Sequence, residues 1–307
     1  MDLGLVGIRG SKMANYAFNN ADLIIVLGSK LSERTIDTGG DFSVTEDGSI
    51  NFEGSKTKFI NVNIDKKAIF GDIKIHGDVS FVLKELNSLN KIANSIENSW
   101  LDEIRDENGE YIIEGMDSET IPIKPQVAIK IILDKFKDNF IVNDAGSHTT
   151  WVNLLSETYS NEKLIYSGAM APMGYGLPAA CGVAVALDKN NTINNIDKKI
   201  VLINGDGGFQ MNIQELATIA TYNLPVLIVV LNNSQLGVIR QWEELYDNDL
   251  RYEVDLENPD FIALANAYGI DGEVVNSKKG LKLAIDDLKL DKPYLIEISV
   301  DEEDIST

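Results

Sequence analysis

Two apolar runs, Ile200 to Ile203 and Val226 to Leu231, each stop at a polar cluster: Gly205-Asp206-Gly207 after the first and Asn232-Asn233 after the second. Runs without polar alternation mark strands buried on both faces, as parallel strands are when helices cover both sides of a sheet. With a helix between them, the stretch from Lys199 to Trp242 reads as a βαβ unit. In a doubly wound sheet, neighbouring parallel strands open their carboxyl ends onto one crevice, and ligands bind there. Asp206 and Asn233, 27 positions apart, are therefore expected to meet in space.

One carboxylate, one amide oxygen and a glycine-flanked turn suit a hard cation such as Mg²⁺, which takes few protein ligands and completes its shell with phosphate oxygens and water. Glycines at 205, 207 and 208 let backbone N–H groups approach an anion. The local reading is a Mg²⁺-diphosphate site. The plainer alternative is an ordinary strand-to-helix turn with Asp206 as a helix cap and the Asn pair as a second turn.

Two further loops carry the same kind of chemistry. After a strand at Phe140 to Val142 comes Asn143-Asp144-Ala145-Gly146-Ser147-His148-Thr149-Thr150-Trp151, a polar strand end entering a helix, where free N–H groups and the helix dipole favour an anion. Ser147 and His148 add side-chain donors; the alternative is a helix capped by Ser147 or Thr149 with His148 merely exposed. The third loop, Gly168 to Ala180, holds Ala171, Pro172 and Gly174, with Met170 and Met173 as flexible apolar fillers of a core.

Along the rest of the chain, residues 1–92 read as loop, helix Met13 to Asn20, strand Leu23 to Leu27, a long exposed loop Thr38 to Lys56, strand Lys58 to Ile64 and amphipathic helix Val79 to Leu89. Residues 93–121 read as a linker. Residues 122–307 alternate regularly: helix Lys124 to Lys137, strand Phe140 to Val142, helix after Thr149, strand Leu164 to Tyr166, helix Gly174 to Leu187, the βαβ unit, helix Phe261 to Tyr268, strand Glu273 to Val275, helix Lys278 to Leu288 and strand Tyr294 to Val300. The expected fold class is α/β: a doubly wound, mostly parallel sheet, preceded by part of a second α/β domain.

The 48 acidic against 27 basic residues give a net charge of −21, which argues against nucleic acid and anionic membranes as partners. No apolar run reaches the roughly 18 residues of a membrane helix, and a cytoplasmic protein is expected. Cys181, the single cysteine, lies in an apolar helical run and reads as packing. No HExxH, CxxC or serine-elbow pattern occurs. Gly4, Gly7 and Gly10 form a GxxGxxG-like spacing for a dinucleotide, but no strand precedes them.

The joint pattern of GDG, helix, strand and NN resembles the thiamine diphosphate signature. Leu236-Gly237-Val238-Ile239-Arg240-Gln241-Trp242, Arg251-Tyr252 and Asn258-Pro259-Asp260-Phe261 are similar to the acetohydroxyacid (acetolactate) synthase large subunit. That resemblance implies a thiamine diphosphate-dependent transferase of branched-chain amino acid biosynthesis, which decarboxylates pyruvate and joins the product to a second 2-oxo acid. It places Gly146, Ser147, His148, Gly205, Asp206, Gly207 and Gly208 on the diphosphate. Asp206, Asn233 and the Gln235 carbonyl fall on Mg²⁺, and Ala171 and Met173 on the aminopyrimidine, with Met173 propping the cofactor into its bent form. Trp242, at an expected helix start, shapes the acceptor pocket; Met173 and Trp242 are the residues assigned to catalysis. Ala171 and Pro172 depart from the Gly and Thr usual there. His76, in KIHGDVS, falls at a structural strand-to-helix joint.

The resemblance covers part of the central domain and all of the C-terminal domain. It implies FAD near Gly7 to Gly10 and Arg34, and a homo- or hetero-oligomer in which another chain supplies the pyrimidine-binding domain and its glutamate, so that this chain alone turns over little or nothing. The alternatives are another thiamine diphosphate-dependent decarboxylase or carboligase, and a non-catalytic remnant that binds the cofactor.

Overall fold

The computed structural model describes residues 3–7, 10–36, 43–44, 50–51, 56–88, 99–108, 113–156, 163–168, 170–189, 199–246, 252–286 and 288–301. The chain divides into two units, Met1–Ile112 and Ile113–Thr307, each with its own parallel sheet.

In the first unit, helix α1 (Lys12–Asn20) is capped by Ser11, whose Oγ accepts from the Ala14 N–H at 3.1 Å. Strands β1 (Leu23–Leu27), β4 (Lys58–Asn63) and β5 (Ile73–His76) form a parallel sheet in the order β1-β4-β5. One face packs Val26 and Phe59 with Ile36 of α2 (Glu33–Ile36); on the other, Leu23, Ile25 and Ile73 remain exposed. Two short antiparallel strands, β2 (Ser43–Val44) and β3 (Ile50–Asn51), fall inside the stretch expected as an irregular loop. Most of that stretch lies outside the described residues. Helices α3 (Val79–Ser88) and α4 (Ser99–Asn108) follow, the latter inside the span read as a linker. β5 was not expected as a strand; its four residues are mostly exposed and give no apolar run, and His76 Nε2 lies 3.0 Å from the Ile64 carbonyl at the turn.

The second unit holds six strands: β6 (Phe140–Asn143), β7 (Leu164–Ile165), β8 (Ile200–Gly205), β9 (Val226–Asn232), β10 (Asp271–Val275) and β11 (Tyr294–Ser299). Their order is β10-β11-β9-β8-β6-β7, every pairing parallel. Leu202, Ile228 and Leu295 share one apolar cluster with Leu177, Phe209, Leu216 and Phe261 from the helices. Val201, Ile203, Val229 and Ile296, the alternate residues, are equally buried, so helices cover both faces.

The helices are α5 (Pro125–Lys135), α6 (His148–Leu155), α7 (Gly176–Lys189), α8 (Asp206–Met211), α9 (Glu215–Thr221), α10 (Gly237–Tyr246), α11 (Phe261–Ala267) and α12 (Lys278–Asp286). The single helix expected after Asp206 is two, α8 and α9, broken at Asn212. Phe209 of α8 packs edge-on against Phe261 of α11, ring centres 5.5 Å apart, which seats the start of α8 at the end of β8. α7 starts two residues later than expected because Gly174 has φ +86°, outside the helical region. Cys181 is buried in α7, and its thiol is pushed up to about 11 chiefly by burial. Among the described residues, no helix is long and apolar enough to cross a membrane.

Candidate functional site

β6 and β8 are neighbours, yet the chain leaves them in opposite directions, from β6 to β7 at one edge and from β8 to β9 on the far side. Their carboxyl ends form the switch point of the sheet, where the loops cannot close over one another and a crevice opens. The loops following β6, β8 and β9 and the loop leading into α7 converge there.

Asp206 opens α8 and is 2% exposed. Its Oδ1 accepts from the Gly207 N–H at 2.9 Å and its Oδ2 from Asn258 Nδ2 at 2.8 Å. The same amide donates to Asn232 Oδ1 at 2.9 Å, so Asn258 ties the ends of β8 and β9 together. Burial holds the Asp206 carboxyl above its ordinary value, against the pull of Asn258 and of the Gly207 and Ser234 N–H groups. Position 205 takes the cap position, with no side chain to offer, so Asp206 is not the cap that the plainer reading made it.

Asn233 lies just beyond β9, with its Oδ1 3.2 Å from the Gln235 N–H. Ser147 reaches the same place: a Cβ on Gly237 would lie 2.8 Å from Ser147 Oγ and 3.4 Å from Asn233 Nδ2. The Gln235 side chain is committed elsewhere, donating to Asp255 at 3.1 Å and accepting from the buried Arg240 at 2.8 Å. Arg240 is itself paired with Glu244 at 2.8 Å.

His148 is buried, not exposed as the alternative reading had it. Its ring lies beside both Gly146 and Gly205; a Cβ on Gly205 would sit 3.5 Å from Nδ1. Burial pushes its pKa down to about 4, so the ring is neutral at pH 7, and Nε2 is buried without a protein partner. Ser147 makes no side-chain cap bond, while Thr149 Oγ1 donates to the Asp144 carbonyl at 2.7 Å.

The loop into α7 faces the glycines. A Cβ on Gly207 would meet Leu236 Cδ2 at 3.1 Å, Leu256 Cδ1 at 3.2 Å and Met173 Cε at 3.3 Å, so three apolar side chains close in over Gly207 and leave no room for a Cβ. Gly208 is as tight, with Asp144 Oδ2 2.6 Å from its missing Cβ. Met173 is 40% exposed and Met170 is 85% exposed, so neither is the core residue that its apolar character suggested. Ala171 has φ +45°, a left-handed conformation that costs an alanine about 1 kcal/mol or more. Ala171→Gly is expected to raise the thermal midpoint by about 2–4 °C; a lower midpoint in a melting experiment would contradict the strain.

Trp242 lies midway along α10 rather than at its start, about a third exposed, on the helix that begins at Gly237 beside Ser147 and Asn233. Of the residues considered for FAD, Ile8 and Arg9 lie outside the described residues, as does the Arg34 side chain; Gly7 and Gly10 form a turn in which Asn15 bonds both polar groups of Gly7, at 2.8 and 2.9 Å. Arg251, cited in the resemblance, is also outside. Asp144, Asn212 and Asn258 were not singled out as site residues. Their partners are 30, 38 and 52 residues distant, beyond any local spacing.

Chemically, the crevice offers a buried carboxylate, an amide oxygen, closely approachable backbone N–H groups and an unpartnered imidazole nitrogen. Among the described residues no cluster of three or more His, Cys, Asp or Glu is present, so a cation here draws on amide, carbonyl or ligand oxygens as well.

Residues 144–298 match the family model described as "Thiamine pyrophosphate enzyme, C-terminal TPP binding domain", and residues 1–86 match "Thiamine pyrophosphate enzyme, central domain". A probable acetolactate synthase large subunit of Methanocaldococcus jannaschii is 34% identical over 97% of this chain and 50% of its own length. The acetolactate synthase isozyme 2 large subunit of Escherichia coli K12 is 32% identical, covering 98% of this chain and 52% of its own. The acetolactate synthase large subunit of Lactococcus lactis is 33% identical, with 98% and 50% covered. The chain thus spans about half the length of the curated relatives it matches.

Proposed function

The chain belongs to the thiamine pyrophosphate enzyme family, and from that premise we propose that it holds Mg²⁺-thiamine diphosphate as the C-terminal part of an acetolactate synthase. The observation that carries this reading is the meeting, at one switch point, of buried Asp206, Asn233 and an unpartnered His148 around Gly205–Gly208.

The donor set fits the cofactor. Asp206, the Asn233 amide oxygen and the Gln235 carbonyl would hold Mg²⁺, with diphosphate oxygens completing the shell. Gly146, Ser147 and His148 would bind the diphosphate from one side, and the Gly205–Gly208 backbone from the other. Burial keeps His148 neutral, so its ring would face the diphosphate without carrying charge into the fold. Ala171 and Met173 would face the ring end, the Ala171 carbonyl accepting from an amino group and Met173 excluding water above Gly207. Bound thiamine diphosphate supplies a carbon nucleophile and an electron sink for decarboxylation of a 2-oxo acid. Trp242 would narrow the acceptor side, and two pyruvates joined with loss of CO₂ is the reaction proposed. The carboxylate that moves a proton at the aminopyrimidine would come from a pyrimidine-binding domain in a partner polypeptide, within an oligomer. FAD near Gly7, Gly10 and Arg34 remains a proposal of the family resemblance alone.

The test is acetolactate formation from pyruvate with Mg²⁺ and thiamine diphosphate, by the purified chain alone and mixed with a pyrimidine-domain polypeptide. Product in the mixture and little from the chain alone is the expected result. Product from neither, with no cofactor binding by calorimetry, would sink the reading.

A further inference from the structure

We infer that Asp144 and Asn212 are positioning residues that grip Gly174 by its N–H and its carbonyl, the two peptide groups that flank its Cα, and so fix Met173 over Gly207. The inference rests on reading the Ala171–Met173 loop as the wall that faces the ring end of thiamine diphosphate.

The Gly174 N–H donates to Asp144 Oδ2 at 3.0 Å, and the Gly174 carbonyl accepts from Asn212 Nδ2 at 2.8 Å. Asp144 follows β6 and Asn212 follows α8. The connection after β6, which carries Gly146 to His148, and the break after α8 therefore hold the two peptide groups that flank Gly174, one residue beyond Met173. The fit leaves no slack: at φ +86°, a Cβ on Gly174 would lie 2.7 Å from Met211 Cβ and 2.9 Å from Asn212 Nδ2. Asp144 is itself fixed, 2% exposed, with Oδ1 accepting from the Ala145 N–H at 2.8 Å. Asn212 is half-buried at the break between α8 and α9, and its Oδ1 accepts from Gln214 Nε2 at 3.1 Å. The break in that helix frees the Asn212 amide to reach Gly174.

A clamp of this kind acts on the ring end of the ligand and spares the diphosphate end. Titration calorimetry of the full chain with Mg²⁺-thiamine diphosphate and, separately, Mg²⁺-pyrophosphate separates the two. Asn212→Ala, at a half-buried helix end, is expected to lower affinity for thiamine diphosphate about tenfold, the effect of losing one well-placed bond, while pyrophosphate binding stays within about twofold. Asp144→Asn, which leaves one oxygen where two N–H groups need acceptors, is expected to act in the same direction. Adding Asn212→Ala to Met173→Ala is expected to cost no more than Met173→Ala alone, because both remove the same wall. Parallel loss of both ligands, unchanged affinity for thiamine diphosphate, or full additivity would overturn the clamp. If the unaltered chain shows no preference for thiamine diphosphate over pyrophosphate, the reading of the loop itself falls, and the clamp with it.

Discussion

Asp206→Asn is expected to reduce the affinity for Mg²⁺-thiamine diphosphate on the order of 100-fold or more, while leaving the cofactor-free chain as stable as before or more so. The two halves of this result have opposite signs for a physical reason. Burial raises the Asp206 carboxyl above its ordinary value of 3.8, so the folded chain binds its proton more tightly than the unfolded chain does. Stability from this group is present below pH 3.8 and lost as pH rises through the raised value, so at neutral pH the ionised carboxylate is a burden on the fold. An amide removes that burden at the loss of one acceptor for the Gly207 and Asn258 donors. Calorimetry with and without Mg²⁺, beside a melting curve, checks both halves. A turn residue would show the reverse: binding intact and the melting point lowered.

The second large effect is acid sensitivity set by His148. Its ordinary value of 6.5 falls to about 4 in the fold, mainly because burial disfavours the charged ring. The unfolded chain therefore takes up this proton from pH 6.5 downward, while the folded chain refuses it until near pH 4. The stability from this group is full above pH 6.5 and lost as pH falls through that window, a total of roughly 3 kcal/mol. Asp144 and Asp206, both raised by burial, run the other way as pH falls through their raised values, so the His148 contribution is isolated by difference. Urea unfolding at pH 7 and pH 4.5 is expected to show a shallower loss in His148→Gln than in the unaltered chain. Equal slopes would place the neutral, buried ring in doubt.

The parts of this fold that were legible are those whose environment is uniform. β8 and β9 are buried on both faces, so every position is apolar and the strands stand out; the polar residues at their ends then mark the crevice. β5 was not legible, because a short and mostly exposed strand is specified by its neighbour β4 and not by its own residues. The break at Asn212 has no local signal for a related reason: MNIQEL is compatible with a continuous helix, and the break coincides with a bond to Gly174 in another loop. Asp206, Asn233 and His148 are singled out by their chemistry and by family resemblance. Asp144 and Asn258 stand within motifs but carry no local signal, since what they do depends on partners brought near only by the folded sheet. His148 was read as a donor, but its burial, and hence its neutrality, follows from packing against Gly146 and Gly205 that no spacing reveals.

The strand order has a kinetic corollary. β6 and β8 lie side by side, yet the bond from the Lys199 N–H to Asn139 Oδ1 at their start closes 60 residues of chain. Closing a loop of that length costs chain entropy before any pairing repays it, and parallel pairing over such separations is slow. Every residue assigned to the diphosphate lies on one side or the other of this closure. The crevice exists only once β6 and β8 have paired, and a ligand that fits it selects the finished sheet.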